Sequence, residues 1–175
     1  RFRPTRSPSQ LDYGSVAAAM PVEEYVDRRF SQTQDRYAAE DLETIEVARR
    51  YGAHVFGLFR PFIGRRVLEV GCGIGTMSRK IAEFADVIVG IEPNASCIER
   101  VVLAMRHEPK FSLRPCHLEE CAPRELAAYG FDTVYCVNVL EHINDDVHAL
   151  RMFKEAVVPG GRVLIFVPAI QAAYG

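Results

Sequence analysis

The chain has 175 residues, of which 49% are hydrophobic and 25% charged, and its formal net charge is -2. That length suits one packed domain and is short for two, and the near-neutral balance leaves no global electrostatic footprint for nucleic acid or an anionic membrane. No apolar run approaches membrane-spanning length, and "VAAAM" is too short for a signal-peptide core.

Five cysteines, Cys72, Cys97, Cys116, Cys121 and Cys136, are odd in number and scattered, mostly beside apolar residues. This argues against a disulfide framework and for a reducing, cytoplasmic setting, with the cysteines serving as small core hydrophobes.

In chain order, residues 1–38 are mixed in polarity and interrupted by Pro4, Pro8 and Pro21, so they are read as an extension with one short helix, a candidate lid. The chain opens on Arg1 rather than a methionine, which suggests a processed, truncated or partial product. From Glu40 to Phe59, Leu42, Ile45, Ala48, Val55, Phe56 and Phe59 fall at three- and four-residue steps. That spacing predicts an amphipathic helix lying on the core and stopped by Pro61.

Short apolar runs then alternate with helical stretches. "RVLEV" (66–70), "VIVGI" (87–91), "FSLRPC" (111–116), "FDTVYCV" (131–137) and "RVLIFV" (162–167) read as strands. Met77–Ala85, Ala95–Met105, Pro123–Tyr129 and Asp145–Val157 read as the connecting helices, the last capped by Asn144 and ended by "PGG" at 159–161. Five alternations with short connections predict a doubly wound α/β domain, its parallel strands covered on both faces. Ligands of such sheets bind outside the carboxyl ends of the strands, where strand order reverses.

The glycine turn "GCGIG" (71–75) follows the first strand at that edge. A dinucleotide fingerprint wants a third glycine where this chain has Thr76, and its pyrophosphate would be repelled by Glu69 just before the turn. An ammonium- and sulfonium-bearing ligand without phosphate suits that carboxylate instead. A second acid, Glu92, ends the second strand about twenty residues beyond the glycines, where a carboxylate can accept hydrogen bonds from both hydroxyls of a ribose.

The segments "VLEVGCGIGTMSRKIA", "VGIEPN", "FDTVYCVNVLEHINDD" and "VVPGGRVLIFVP" resemble, in order and spacing, the successive motifs of class I S-adenosylmethionine-dependent methyltransferases across roughly 65–168. The resemblance implies a Rossmann-like sheet of strand order 3-2-1-4-5 in a cofactor-binding core over 39–175. It implies S-adenosyl-L-methionine as cofactor and S-adenosyl-L-homocysteine as product. Glu69, Gly71, Cys72, Gly73 and Gly75 would then shape the methionine end of the pocket, Glu92 would hold the ribose and Pro93 flank the adenine. Asn138 and Val139 would face the methionine moiety. Where many members carry an aspartate after strand three, this chain has His117 and Leu118, whose backbone groups are expected to read the adenine edge.

Family members usually add two strands after the fifth, the last antiparallel; without them 162–167 would be an exposed edge, so further residues or another chain are expected to cover it. Methyl transfer needs a base only when the nucleophile carries a proton, as a hydroxyl does. His142 is the candidate base, with Glu141 either orienting it or contacting cofactor or substrate, against the alternative that "LEH" only closes the sheet edge; His148 reads as a surface residue of the following helix, and His54 and His107 have no companions. The spacing of Cys116, His117 and Cys121 matches no zinc pattern, so no metal is expected. Tyr13, Tyr25, Phe30, Tyr37 and Tyr51 either cover an apolar substrate or pack the first helix on the sheet.

The reading is a small-molecule methyltransferase acting on an oxygen nucleophile of a natural product or glycan, with no nucleic-acid or membrane partner. The alternative is a non-catalytic S-adenosylmethionine-binding sensor or partner subunit.

Overall fold

The computed structural model describes residues 50–168 together with Met20 and Pro21. Six strands form one sheet: β1 (Met20–Pro21), β2 (Arg66–Val70), β3 (Val87–Ile91), β4 (Phe111–Arg114), β5 (Phe131–Val137) and β6 (Val157–Phe166), in the spatial order β1-β4-β3-β2-β5-β6. Strands β2 to β6 are parallel, so the predicted order 3-2-1-4-5 holds for them. Added to it is β1, which pairs antiparallel with β4 through Met20–Leu113 and Pro21–Ser112. A two-residue strand ending in proline carries no period-2 signal, so nothing in the sequence announced it. The rest of the extension, with its candidate lid and short helix, lies outside the described residues.

The first helix, α1, is helical over 50–59 and runs into a 3-10 turn, Arg60–Phe62, that contains Pro61. Its predicted first half lies outside the described residues. The others are α2 (Thr76–Ala82), α3 (Ala95–Met105), α4 (Pro123–Ala128) and α5 (Asp146–Ala156). Asn94 caps α3 as a good N-cap residue should, its Oδ1 accepting from the Ser96 and Cys97 amides. The cap of α5 is Asp145, which accepts from the His148 amide, and not Asn144 as the sequence suggested. Either residue type satisfies the orphan amides, so spacing alone did not separate two adjacent candidates.

Alternation along the strands divides the core in two. Val67, Ile88, Phe111 and Tyr135 pack with Ile81 of α2 and with Ile98, Val101, Val102 and Met105 of α3, joined by Phe56 and Phe59 of α1. On the other face Leu68, Val89, Val134 and Cys136 pack with Leu126 of α4 and with Ala149, Met152, Phe153 and Ala156 of α5. Each fully buried Leu- or Phe-sized side chain contributes roughly 1.5–3 kcal/mol, so these two layers rather than the strand hydrogen bonds fix the sheet. All five cysteines are free; four are buried and Cys97 is partly so.

The "PGG" read as helix punctuation belongs to a strand instead. Val157 follows α5 directly and begins β6, and the register shifts between Phe131 and Thr133 opposite the glycines. Gly160 takes the left-handed conformation (φ 83°), and a Cβ on Gly161 would press on the Asp132 carbonyl at 2.8 Å. The glycines thus make a bulge that lets β6 stay paired with β5. Among the described residues β6 has β5 on one side and no strand on the other. No described helix is long and apolar enough to cross a membrane.

Candidate functional site

Where β2 ends, strand order reverses, and the chain turns through three glycines that all have positive φ: Gly71 (72°), Gly73 (54°) and Gly75 (81°). The turn is tied to β3, since the Gly71 and Cys72 amides both donate to the Ile91 carbonyl at 2.9 and 3.0 Å. A Cβ on Gly71 would overlap the Val139 side chain, so only glycine lets the turn pass beneath the end of β5. At Gly73 a Cβ would meet nothing within 4 Å. The turn therefore faces open space at Gly73, the room a ligand lying on the backbone requires.

Glu92, at the tip of β3 and 7% exposed, bounds that space. One carboxylate oxygen accepts from the Gly73 amide at 2.8 Å and the other from the Asn94 amide at 3.0 Å. Each oxygen keeps a second lone pair, so the group can still accept from a diol. Pro93 separates Glu92 from the cap of α3 and is exposed.

Glu69 lies deeper. It is 3% exposed on the α2 side of the sheet, and one of its oxygens accepts from Ser78 Oγ at 2.6 Å. Burial raises its pKa from 4.5 to about 8; the Ser78 hydrogen bond opposes that rise and the charge of Glu92 adds to it. Burial thus favours the protonated carboxyl near neutral pH, which refines the sequence argument: a cation placed beside Glu69 would have to take over the role of its proton. Ser78 went unnoticed in the sequence because a serine three residues into a helix normally faces solvent; burial and its partner become visible only once α2 docks.

The raised pKa has a measurable consequence. From about pH 4.5 to 8 the folded chain keeps a proton that the unfolded chain releases, so the Glu69 contribution to stability falls as pH rises through that window. Glu69→Gln, an isostere of the protonated form, is expected to match the parent near pH 5 and to exceed it by on the order of 4 kcal/mol near pH 8.5. Urea denaturation of both proteins at each pH measures the gap; a pH-independent gap would mean that Glu69 is already ionised.

Cys72 turns away from the open space. Its Sγ lies where a Gly90 Cβ would be only 2.9 Å away, its amide is used by Ile91, and its carbonyl accepts from the Gly75 amide. Cys72 thus packs the turn onto β3, with its amide and its carbonyl both hydrogen-bonded.

Beyond β5, Asn138 holds a positive φ of 53°. Its amide donates to the Phe166 carbonyl at 2.8 Å, and its Oδ1 accepts from Tyr51 Oη at 3.1 Å. Tyr51 also meets Phe166 edge-on at 6.1 Å, so α1 reaches over the carboxyl ends of β5 and β6. Of the aromatics read as lid or packing, Tyr51 packs against Phe166 and is 43% exposed; the other four lie outside the described residues. Val139 covers Gly71. Next, Leu140–His142 forms a 3-10 turn that leaves Glu141 and His142 exposed, and no described residue orients the His142 imidazole. On the opposite flank, after β4, His117 is exposed and Leu118 buried at the start of a 3-10 turn, Leu118–Glu120. Among the described residues no three His, Cys, Asp or Glu side chains group so as to hold a metal ion.

The family described as "Methyltransferase domain" matches residues 23–173. The chain belongs to that family. It is 39% identical over 107 residues to a tRNA U34 carboxymethyltransferase of Azotobacter vinelandii, covering 58% of this chain and 32% of the relative. It is 32% identical over 122 residues to a ubiquinone biosynthesis O-methyltransferase of Azorhizobium caulinodans, covering 69% of this chain and 47% of the relative. The chain thus spans less than half the length of either relative. An S-adenosylmethionine-dependent methyltransferase from Mesorhizobium loti superposes with a TM-score of 0.51 at 21% identity, over 59% of this chain and 47% of that one. The fold is therefore the expected class I methyltransferase fold.

Proposed function

We propose that the chain takes S-adenosyl-L-methionine as methyl donor, passes the methyl group to a hydroxyl oxygen of a small-molecule acceptor and releases S-adenosyl-L-homocysteine. The observation that carries this reading is the pairing of Glu92 with Gly73: a buried carboxylate, already fixed by two backbone amides, borders a glycine that faces open space. Glu92 would accept the ribose hydroxyls, and Glu69 would meet the ammonium. Pro93, His117 and Leu118 would border the adenine, and Asn138 and Val139 the methionine chain. The cofactor supplies a carbon already activated by its sulfonium, so the protein's own work is alignment and exclusion of water.

Among the relatives, the ubiquinone biosynthesis O-methyltransferase supports a small-molecule oxygen acceptor. The tRNA U34 carboxymethyltransferase supports a second reading, an RNA acceptor, which lacks a basic, aromatic-interleaved stretch in this chain. We place the protein in the cytoplasm, where five free thiols are stable.

Titration with S-adenosylhomocysteine followed by transfer of labelled methyl to phenolic, glycan and tRNA acceptors tests the reading. Tight NAD binding without a response to S-adenosylhomocysteine would sink it, transfer to tRNA alone would favour the second reading, and good cofactor binding with a silent panel would favour the non-catalytic alternative. His142→Ala is expected to lower turnover by roughly 100-fold with cofactor affinity unchanged, as for a general base. Equal loss of both would assign His142 to the scaffold.

A further inference from the structure

Cys116 and Cys121 stand at the two ends of "CHLEEC", with Sγ atoms 3.4 Å apart and residues 6% and 3% exposed. The Cys121 thiol also reaches the His117 carbonyl at 3.7 Å. Beside them lies Arg114, itself 2% exposed. Its Nη1 and Nη2 both donate to one oxygen of Glu125 at 3.2 Å, while its Nε is buried with no hydrogen-bond partner. A buried guanidinium with an idle N–H is costly, and a thiolate next to it removes that cost.

The pair is also chemically asymmetric. The hydrogen bond from Cys116 lowers the Cys121 pKa; burial opposes this, and the Arg114 charge lowers it further. The same hydrogen bond, with burial, drives Cys116 up. An isolated buried thiol is inert, but a thiol whose ionisation a neighbouring cation favours, with a second thiol in contact at 3.4 Å, has the layout of a nucleophile and its resolving partner.

We propose that Cys116 and Cys121 form a reversible disulfide in response to hydrogen peroxide, and that closing it weakens cofactor binding through the loop between them. The second half rests on the assignment of His117 and Leu118 to the adenine rim. In the first step the Cys121 thiolate attacks one peroxide oxygen: an S–O bond forms, the O–O bond breaks, and the departing hydroxide takes up a proton to leave as water. Cys116 sulfur then attacks the Cys121 sulfur, the S–S bond forms and the S–O bond breaks. The released hydroxide leaves as water with the Cys116 proton. Two thiols are oxidised, one peroxide is reduced to two waters, and a dithiol reductant reverses the change.

Closure draws the sulfurs from 3.4 Å to roughly 2.05 Å. The intervening turn is short and internally bonded, with the His117 amide donating to Glu120 at 2.8 Å and the Glu120 amide to the His117 carbonyl at 3.2 Å. It has little slack to absorb that shift, so His117 and Leu118 move with it.

The test treats the folded chain with hydrogen peroxide, alkylates it during unfolding, and reads thiol masses alongside S-adenosylhomocysteine affinity. The expected result is a 116–121 peptide two hydrogens lighter and closed to alkylation, with affinity lowered roughly tenfold and restored by dithiothreitol. Cys121→Ser should keep its affinity under peroxide, and Cys116→Ser should yield a dimedone adduct at Cys121. Alkylatable Cys116 and Cys121 at a peroxide dose that oxidises the half-buried Cys97 would overturn the disulfide. A disulfide formed with affinity unchanged would overturn the coupling. Hydrogen exchange of the 117–120 amides in the reduced protein reads the adenine assignment separately: protection by S-adenosylhomocysteine supports it, and no protection overturns the coupling while the thiol masses still decide the disulfide.

Discussion

Replacing Glu92 with alanine is expected to weaken S-adenosylhomocysteine binding by roughly 2–3 kcal/mol, a 30- to 150-fold rise in Kd. The side chain does two jobs. Its oxygens hold the Gly73 and Asn94 amides at 2.8 and 3.0 Å, and each keeps a lone pair beside a glycine that faces open space. Alanine removes the acceptors proposed for the ribose hydroxyls and leaves two amides without partners, so stability also falls, by about 1–2 kcal/mol. Glu92→Gln separates the jobs, because its single carbonyl oxygen can keep one amide but not the whole set, and its NH2 would face a second donor. The order of affinities should be parent, then glutamine, then alanine, by calorimetric titration. Alanine and parent proteins with equal affinity would remove Glu92 from the site and, with it, the observation on which the proposed function stands.

The sheet was legible because its central strands are buried on both faces. "RVLEV", "VIVGI" and "FDTVYCV" coincide with β2, β3 and β5, since continuous β-branched runs admit few other readings. The glycine turn and Glu92 were legible for a related reason: a strand, a glycine turn and an acid at the next strand's tip are all local in sequence. What sequence spacing hid was tertiary. Only the docking of α2 brings Ser78 onto Glu69, and only the burial that follows makes Glu69 a neutral acid rather than a waiting anion. Membership of a turn also says nothing of which way a side chain leaves it, and the Cys72 sulfur lies against Gly90. The glycines of "PGG" were read as a stop signal, yet a left-handed residue inside a paired strand makes a bulge with the same letters. Tyr51 on Asn138 spans 87 residues of sequence, a pairing no local pattern encodes.

Gly71→Ala should be the more damaging change to stability, costing roughly 2–4 kcal/mol. Part of the cost is backbone strain, since a residue with a Cβ at φ 72° pays about 1 kcal/mol or more relative to glycine. The larger part is steric, because the new methyl would occupy the volume of the Val139 side chain. The two parts separate in a double-mutant cycle. Val139→Ala alone creates a modest cavity at a half-buried position, but in the Gly71→Ala background it clears the overlap, so the double variant should be more stable than the sum of the single changes by about 1–2 kcal/mol. Additive effects in urea denaturation would leave strain alone as the cause. Cofactor affinity gives a second reading of the same cycle. The Gly71 amide is bonded to Ile91, one residue before Glu92, so a displaced turn also pulls Gly73 off the Glu92 carboxylate. Gly71→Ala should therefore lose S-adenosylhomocysteine affinity together with stability, and relieving the overlap at Val139 should restore part of both. Recovery of stability without recovery of affinity would mean that Val139 itself contacts the ligand, the role that the sequence motif implied for it.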